Sequence, residues 1–237
     1  MVPMKNKIIQ YLKYLNGLRR ITRVLGFNPF IYKIFYGNYS YEENFDAFFS
    51  NKILTGFTVY DIGANIGHYS TLYSKLVGEN GKVFAFEPSL KNFQILLEKC
   101  NTGSNKNLFS INAGIGSTNS KLFIQQGQDD IGATSKMSQY ENGNGNWIQV
   151  FTLNSIVSTY GIPNAIKIDV EGFELEVLQG ADKILKNDKI KVIGIEIHSE
   201  ILNNRGVYNC HDRIERILKH NGFKIYYPDF SHIIGYK

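Results

Sequence analysis

This 237-residue chain has few cysteines, no long hydrophobic runs and few acidic residues near its N-terminus. Each of these features argues against a class of protein. The two cysteines, Cys100 and Cys210, are far apart and form no metal-like pair, so neither a disulfide framework nor a zinc knuckle is predicted. No apolar stretch approaches the ~20 residues of a membrane-spanning helix, and residues 1–20 lack the features of a signal peptide. We therefore expect a cytoplasmic protein.

The composition excludes disordered and fibrous classes. Charged residues make up 20% of the chain, and there are only 5 prolines, whereas 43% of the residues are hydrophobic. A chain of this length and composition can bury a sizeable core. We expect one compact main domain, over residues 51–237.

Most of the net charge of +5 lies in the N-terminal segment, residues 1–50. Seven basic residues and no acidic one precede Glu42, which leaves 19 basic and 21 acidic residues in the rest of the chain. Apolar residues recur there at helical spacing, at Ile8, Leu12, Leu15, Leu18, Ile21 and Leu25. The pattern predicts a basic amphipathic helix that either packs on the main domain or contacts an anionic membrane surface peripherally. Nucleic acid is not an expected partner.

From residue 57 onward, short runs rich in β-branched and aromatic residues alternate with helical patterns. The predicted strands are 57–61, 82–87, 108–112, 165–169 and 192–197, and two more, 223–227 and 232–236, are joined tightly enough to be antiparallel. This alternation predicts an α/β fold with a parallel sheet. Residues 117–150 break the rhythm and predict an inserted hairpin or flap.

The segment Asp61–Gly67 follows the first strand and carries glycines where a tight turn into a helix needs them. Gly63 permits the turn, and Gly67 permits close packing of the helix start on the sheet. Glu87 ends the next strand, where a carboxylate can accept hydrogen bonds from both ribose hydroxyls of a nucleoside. The dinucleotide fingerprint requires glycine where this chain has Asn65, so a pyrophosphate is disfavoured.

These residues resemble the S-adenosylmethionine-dependent methyltransferases of class I, and among them the FkbM type. Three blocks carry the resemblance: Asp61–Gly67, Phe86-Glu87-Pro88, and residues 166–174 continued to Ala181. One position departs, because Asn154 stands where the family commonly has aspartate. The resemblance implies a Rossmann-like, mostly parallel seven-stranded sheet with helices on both faces and an antiparallel last strand.

The resemblance also implies roles for individual residues in binding S-adenosylmethionine. Asp61, Gly63, Asn65 and Gly67 are expected to line its methionine and ribose part, and Glu87 to hold the ribose. Asn112 and Ala113 stand where the family places adenine contacts. Asn112 could equally cap the turn that follows.

Catalytic groups are expected at the carboxyl ends of the fourth and fifth strands, where ligands bind in open α/β sheets. Lys167 and Asp169 project from one strand end, and Glu196 and His198 from its neighbour. Asp169 or His198 would remove the proton of an acceptor hydroxyl, and Lys167 would pair with a carboxylate and organise the site. Asp169, Glu196 and His198 could alternatively bind Mg²⁺, which is possible but not expected. Glu171 is expected to cap or orient the following helix.

The predicted function is an S-adenosylmethionine-dependent O-methyltransferase, EC 2.1.1.-. The expected acceptor is a sugar or glycan hydroxyl, or a related small molecule of surface polysaccharide or secondary-metabolite biosynthesis. Tyr140 and Trp147 could stack on a sugar face or fill the core. A non-catalytic nucleoside-cofactor-binding module and a nicotinamide-dependent oxidoreductase remain the alternatives.

Overall fold

A computed structural model of the chain describes residues 43–102, 105–125, 136–138 and 145–237. The chain divides into two compact units, Met1–Asn44 and Phe45–Lys237, and the described residues belong almost entirely to the second. The amphipathic helix predicted near the N-terminus lies outside the described residues. Within them, no helix combines the length and apolar character that crossing a membrane requires.

Seven α-helices and a short 3₁₀ helix, Ile184–Lys186, occur in the described residues. The α-helices are α1 Glu43–Ser50, α2 His68–Val77, α3 Leu90–Cys100, α4 Leu153–Tyr160, α5 Glu174–Gln179, α6 Ser199–Asn204 and α7 Cys210–His220. The strands are β1 Thr58–Ile62, β2 Lys82–Phe86, β3 Leu108–Ile111, β4 Gly114–Ile115, β5 Ser120–Gln125, β6 Lys136–Ser138, β7 Gly145–Phe151, β8 Ala165–Ile168, β9 Val192–Glu196, β10 Lys224–Tyr226 and β11 His232–Tyr236.

The main sheet has seven strands in the order β10-β11-β9-β8-β1-β2-β3. Only β11 runs against its neighbours, since it pairs antiparallel with both β9 and β10. Ile62 pairs with Phe86 on one side and with Ile168 on the other, so the carboxyl ends of β1, β2 and β8 meet at one edge. The predicted fold class, with its antiparallel last strand, is confirmed.

Both faces of the sheet are buried, as expected for parallel strands covered by helices. Along β1, Val59 faces one hydrophobic layer and Tyr60 the other, because successive side chains of a strand point to opposite faces. Helices α1, α2 and α3 contribute to the layer of Val59, and α4, α5 and α7 to the layer of Tyr60. This sandwich holds the strand ends in fixed positions.

The insertion is a four-stranded sheet of its own, in the order β4-β7-β5-β6. The predicted hairpin is present as the antiparallel pair of β5 and β7, but β4 also pairs parallel with β7 and joins the insertion to the end of β3. Trp147 is 49% exposed and packs edge-on against Phe123, so it does not fill the core. Tyr140 lies outside the described residues.

Helix α1 packs on the domain that the sequence predicts to begin at residue 51. Phe45 and Phe49 are buried against β9, at Gly194. A Cβ at Gly194 would lie 2.7 Å from the Phe45 ring and 2.8 Å from the Phe49 ring. Phe45 also stacks on His232, with ring centroids 4.5 Å apart.

Candidate active site

A cleft lies at the carboxyl ends of β1, β2 and β8, the edge where ligands bind in open α/β sheets. Four residues with predicted cofactor roles line it: Gly63, Asn65, Glu87 and Ala113. Asp61, Gly67 and Asn112 do not line it. Asp169, a predicted catalytic residue, lies on the wall of the same cleft.

The turn after β1 requires glycine at residue 63. Gly63 has φ +80°, and a Cβ there would lie 1.8 Å from the backbone oxygen of Asp169. Gly67 is also left-handed, at φ +79°, and a Cβ there would lie 2.5 Å from Leu96 of α3. Gly67 therefore permits close packing on the neighbouring helix α3, and α2 as a whole also packs on β1 and β2.

The Glu87 carboxylate is held from two sides. The backbone N–H groups of Asn65 and Ser89 each donate to one of its oxygens, both at 2.8 Å. Burial raises the pKa of Glu87 to about 7, against the opposing effect of these two hydrogen bonds. The fixed carboxylate keeps unused lone pairs, which suit the ribose hydroxyls that the sequence assigns to it.

Asp61 and Asn112 support the cleft from outside its lining. Asn112 donates from its side-chain amide to the backbone oxygens of Glu87, at 2.9 Å, and Pro88, at 3.2 Å. It therefore braces the turn after β2, and its contact with adenine stays a prediction. Asp61 is fully buried and accepts a hydrogen bond from Ser70 at 2.5 Å. Burial raises the pKa of Asp61, and the charge of Lys167 opposes that effect.

Two amide oxygens beside the cleft have no hydrogen-bond partner among the described residues. They belong to Asn65 and to Asn92, which is only 3% exposed. A buried polar atom without a partner costs about 1–3 kcal/mol, a cost that a bound ligand removes. Sequence reasoning missed Asn92, whose only signal is its position in the first turn of the helix that follows Glu87.

Much of the remaining lining is apolar: Ile62, Phe86, Pro88, Ala113, Ile115, Ile124 and Val170. Ile124 comes from β5, so the insertion forms part of the wall. A fixed carboxylate, unpaired amides and apolar walls match the ribose and the base of a nucleoside. The residues present therefore fit S-adenosylmethionine.

The buried Lys167 and the partly exposed Asp169 form an ion pair beside the cleft. The Lys167 Nζ lies 3.0 Å from an Asp169 oxygen and 4.7 Å from the centre of the Tyr69 ring. Burial by itself lowers the pKa of Lys167, but Asp169 and Asp61 outweigh it and raise that pKa. The organising role that the sequence predicts for Lys167 agrees with this geometry.

His198 lies among four carboxylates. Its Nδ1 is 2.8 Å from Glu174, and its Nε2 is 3.2 Å from Glu171, 3.8 Å from Asp169 and 4.0 Å from Glu196. Burial lowers the pKa of His198, but the bond to Glu174 and the neighbouring charges outweigh it, and the pKa rises to about 9. His198 is therefore a cation at neutral pH and cannot then accept a proton.

Asp169 stays ionised in this surrounding. Burial raises its pKa, but the charge of Lys167, followed by those of His198 and His232, lowers it below the usual range. Asp169 and Glu87 both line the cleft. Of Asp169 and His198, the two predicted bases, Asp169 is the one able to take a proton at neutral pH.

The expected capping role of Glu171 is wrong. It is Glu174 that contacts the local backbone, by accepting a hydrogen bond from Gly172 N–H at 2.9 Å. Glu171 has a left-handed backbone, at φ +48°, lines the cleft and directs its carboxylate to His198. The turn after β8 therefore supplies a further acidic group to the site.

His232 and Asp229 extend the cluster, and sequence reasoning assigned them no role. His232 lies opposite Glu196 in the β11 and β9 pairing, with its Nε2 3.6 Å from the Glu196 carboxylate. Its Nδ1 is 2.8 Å from Asp229. The Pro228-Asp229 turn was the only signal available in the sequence. Glu196 consequently lies between two histidines, His198 and His232.

Asp169, Glu196 and His198 are close enough to share a metal ion, because each offers a ligand atom and these atoms all lie within 4.8 Å of one another. Mg²⁺ prefers oxygen ligands, whereas this set includes an imidazole with carboxylates near both nitrogens. The Mg²⁺ site stays an untested alternative that is not expected.

Comparison with known proteins decides the family. The sequence profile of the Methyltransferase FkbM domain matches residues 61–225, which is more than half of the chain. This chain belongs to the FkbM methyltransferase family. The predicted resemblance is confirmed, and the matched region includes the end of β1, the Glu87 turn and both strand ends of the charged cluster.

One curated relative is the hexuronic acid methyltransferase AglP of Haloferax volcanii, 27% identical over 145 residues. The match covers 60% of this chain and 56% of AglP, so it spans about half the length of that relative.

Two solved structures share the fold. They are the precorrin-6y C5,15-methyltransferase of Geobacter metallireducens (TM-score 0.50, 14% identity, 85% of this chain and 91% of the other) and SMU.1697c of Streptococcus mutans in complex with SAH (TM-score 0.51, 14% identity, 82% and 96%).

The family assigns the chemistry of the domain. The match makes this a methyltransferase domain, and the residues of the cleft fit S-adenosylmethionine as its methyl donor. The nicotinamide oxidoreductase and the non-catalytic binding module are therefore set aside. The roles of individual site residues stay predictions.

Proposed function

We propose that this protein transfers the methyl group of S-adenosylmethionine to a hydroxyl of a sugar, a glycan or a related small molecule. The FkbM domain supports the reaction class, and the hexuronic acid methyltransferase relative supports a sugar acceptor. Surface polysaccharide or secondary-metabolite biosynthesis is the setting that such an acceptor implies.

The observation that carries the proposal is the position of Asp169. Asp169 lines the cofactor cleft, and its carboxylate is paired with Lys167 at 3.0 Å. O-Methylation requires the acceptor hydroxyl to lose its proton before or during attack on the methyl group. Asp169 takes that proton, while the cations Lys167 and His198 hold it ionised and oriented.

The neighbouring carboxylates suit a polyhydroxylated acceptor. The side chains of Glu171 and Glu196 are 44% and 29% exposed, so both have oxygens within reach of a ligand. Carboxylates accept hydrogen bonds from hydroxyl groups, and several of them in fixed positions can select one sugar hydroxyl over another. This arrangement favours a sugar over an apolar acceptor.

The test uses methyl-labelled S-adenosylmethionine with a panel of neutral sugars, uronic acids and nucleotide sugars. We expect label transfer to a hydroxyl oxygen of at least one sugar, identified by mass spectrometry, and its loss in Asp169→Asn. Transfer to amine or thiol compounds, with none to hydroxyl compounds, would overturn the proposal.

The same assay decides between a protein base and a metal. Activity that survives EDTA supports Asp169 as the base. Inactivation by EDTA that Mg²⁺ reverses would instead assign Asp169, Glu196 and His198 as metal ligands.

A further inference from the structure

The side-chain amide of Asn92 is buried but makes no hydrogen bond through its oxygen with the described residues. Asn92 is 3% exposed, lines the cofactor cleft, and has an amide oxygen without a hydrogen-bond partner among the described residues. An acceptor this deeply buried needs a donor, and the cleft is where a donor can enter.

The neighbours of Asn92 indicate which part of the cofactor lies beside it. Asn92 shares the cleft with Phe86, Pro88, Ala113 and Ile115, which form apolar walls suited to a flat heterocycle. Glu87, on the turn before α3, already presents a carboxylate fixed by two backbone N–H groups. The ribose hydroxyls therefore have their acceptor. Of the two unpaired amide oxygens, that of Asn65 belongs to the turn whose N–H contacts Glu87, and that of Asn92 is left for the base.

We propose that the side-chain amide of Asn92 recognises the adenine base of S-adenosylmethionine. Its oxygen accepts a hydrogen bond from the 6-amino group, and its nitrogen donates to the adjacent ring nitrogen. Adenine presents a donor next to an acceptor on one edge, and an asparagine amide pairs with that arrangement in a bidentate manner. Asn92 is thus a specificity-determining residue for the cofactor.

The test is a double-mutant cycle in which one change is Asn92→Ala and the other is removal of the 6-amino group from the ligand. Binding is measured by calorimetry without any methyl acceptor. The ligands are S-adenosylhomocysteine and its 6-deamino analogue, in which hydrogen replaces the amino group. We expect wild-type protein to bind the analogue about tenfold more weakly. We expect Asn92→Ala to bind S-adenosylhomocysteine about tenfold more weakly than wild type does, and to distinguish the two ligands less than twofold.

Asn105→Ala is the matched control. Asn105 is 4% exposed and also has an unpartnered amide oxygen, but it does not line the cleft. We expect this variant to keep the wild-type ratio of the two affinities. Should Asn92→Ala not fold, Asn92→Ser, which retains a polar but shorter side chain, replaces it in the cycle.

Two results would overturn the inference. One is an unchanged affinity ratio in the Asn92 variant, which would show that the amide acts only on the fold. The other is coupling to a 2′-deoxyribose analogue and none to the 6-deamino analogue, which would assign the amide to the ribose. Because the cycle needs no methyl acceptor, neither result bears on the proposed sugar methylation.

Discussion

The two halves of the active site are built in opposite ways. The cofactor half, at the ends of β1 and β2, depends on backbone: a glycine turn at Gly63, and Glu87 fixed by two N–H groups. The half formed by the ends of β8 and β9 depends on charge, with Lys167 and His198 enclosed by carboxylates. Cofactor binding and proton transfer can therefore be disturbed separately, although Asp169 contributes to both halves.

Asp169→Asn should give the largest effect, because it removes the proton acceptor while keeping the shape of the side chain. We expect turnover to fall by about 10² to 10⁴-fold. The affinity for S-adenosylhomocysteine, measured by calorimetry, should stay close to that of wild type. Wild-type turnover in this variant would contradict the role of Asp169, and a matching loss of affinity would show that the two halves are not separable.

Gly63→Ala tests the backbone half through stability. The new Cβ would meet the Asp169 backbone oxygen at 1.8 Å, in addition to the strain of φ +80°. We expect the free energy of unfolding to fall by about 2–4 kcal/mol in denaturant titrations.

Gly161→Ala is the control for that variant. Gly161 has a similar φ of +83° but nothing within 4 Å of a Cβ, so only the conformational strain, about 1–3 kcal/mol, should appear. Equal losses in the two variants would mean that the close approach to Asp169 is unimportant.

Glu87→Ala should weaken S-adenosylhomocysteine binding by about 1.5–3 kcal/mol, the scale of hydrogen bonds to a charged group. Turnover at saturating cofactor should change little. Since burial raises the pKa of Glu87 to about 7, wild-type affinity should also increase between pH 6 and pH 8 as the carboxylate ionises. Glu87→Gln should lose this pH dependence, and an unchanged dissociation constant in Glu87→Ala would remove the residue from the cofactor site.

The pH profile of turnover sharpens the assignment within the charged half. With His198 acting as a cation of pKa about 9, turnover should be level between pH 7 and 8 and fall above pH 9. The same protonation stabilises the fold, an effect fully present below pH 6.5 and lost as pH rises through 9. A rate that instead rises towards pH 9 would identify His198 as the base. In the pH profile of turnover, His198→Gln should abolish the limb that the titration of His198 causes.

Asn154→Asp should have the smallest effect. Asn154 donates to Asp182 at 2.5 Å and accepts from the backbone of Lys183 and Ile184, and it does not line the cleft. An aspartate there would repel Asp182, at a cost of less than about 1 kcal/mol because the pair is exposed. Thermal denaturation and cofactor calorimetry should both detect little change. A large loss of affinity would give this departure from the family pattern a functional meaning.

The cofactor half was predictable because its signals are local. Gly63 and Glu87 end consecutive parallel strands, and parallel neighbours place their carboxyl ends together. Lys167 and Asp169 were predictable as a pair because residues two apart on a strand project to the same face.

The rest depends on contacts that no local pattern contains. His232 reaches Glu196 only because β11 lies antiparallel beside β9 in a particular register. Asn92 is distinguished by its unpaired side-chain oxygen, which depends on its tertiary neighbours and leaves no mark in the local sequence. The parallel pairing of β4 with β7 joins segments that the sequence separates by the whole insertion.

The packing of α1 on Gly194 links two distant parts of the chain in evolution. A side chain at residue 194 would meet the rings of Phe45 and Phe49, so a larger residue there requires the two rings to move or to be replaced. In homologues, a larger residue at this position of β9 should accompany the loss or displacement of this helix. The stacking of Phe45 on His232, whose Nε2 lies 3.6 Å from the Glu196 carboxylate, extends the same dependence to the charged cluster.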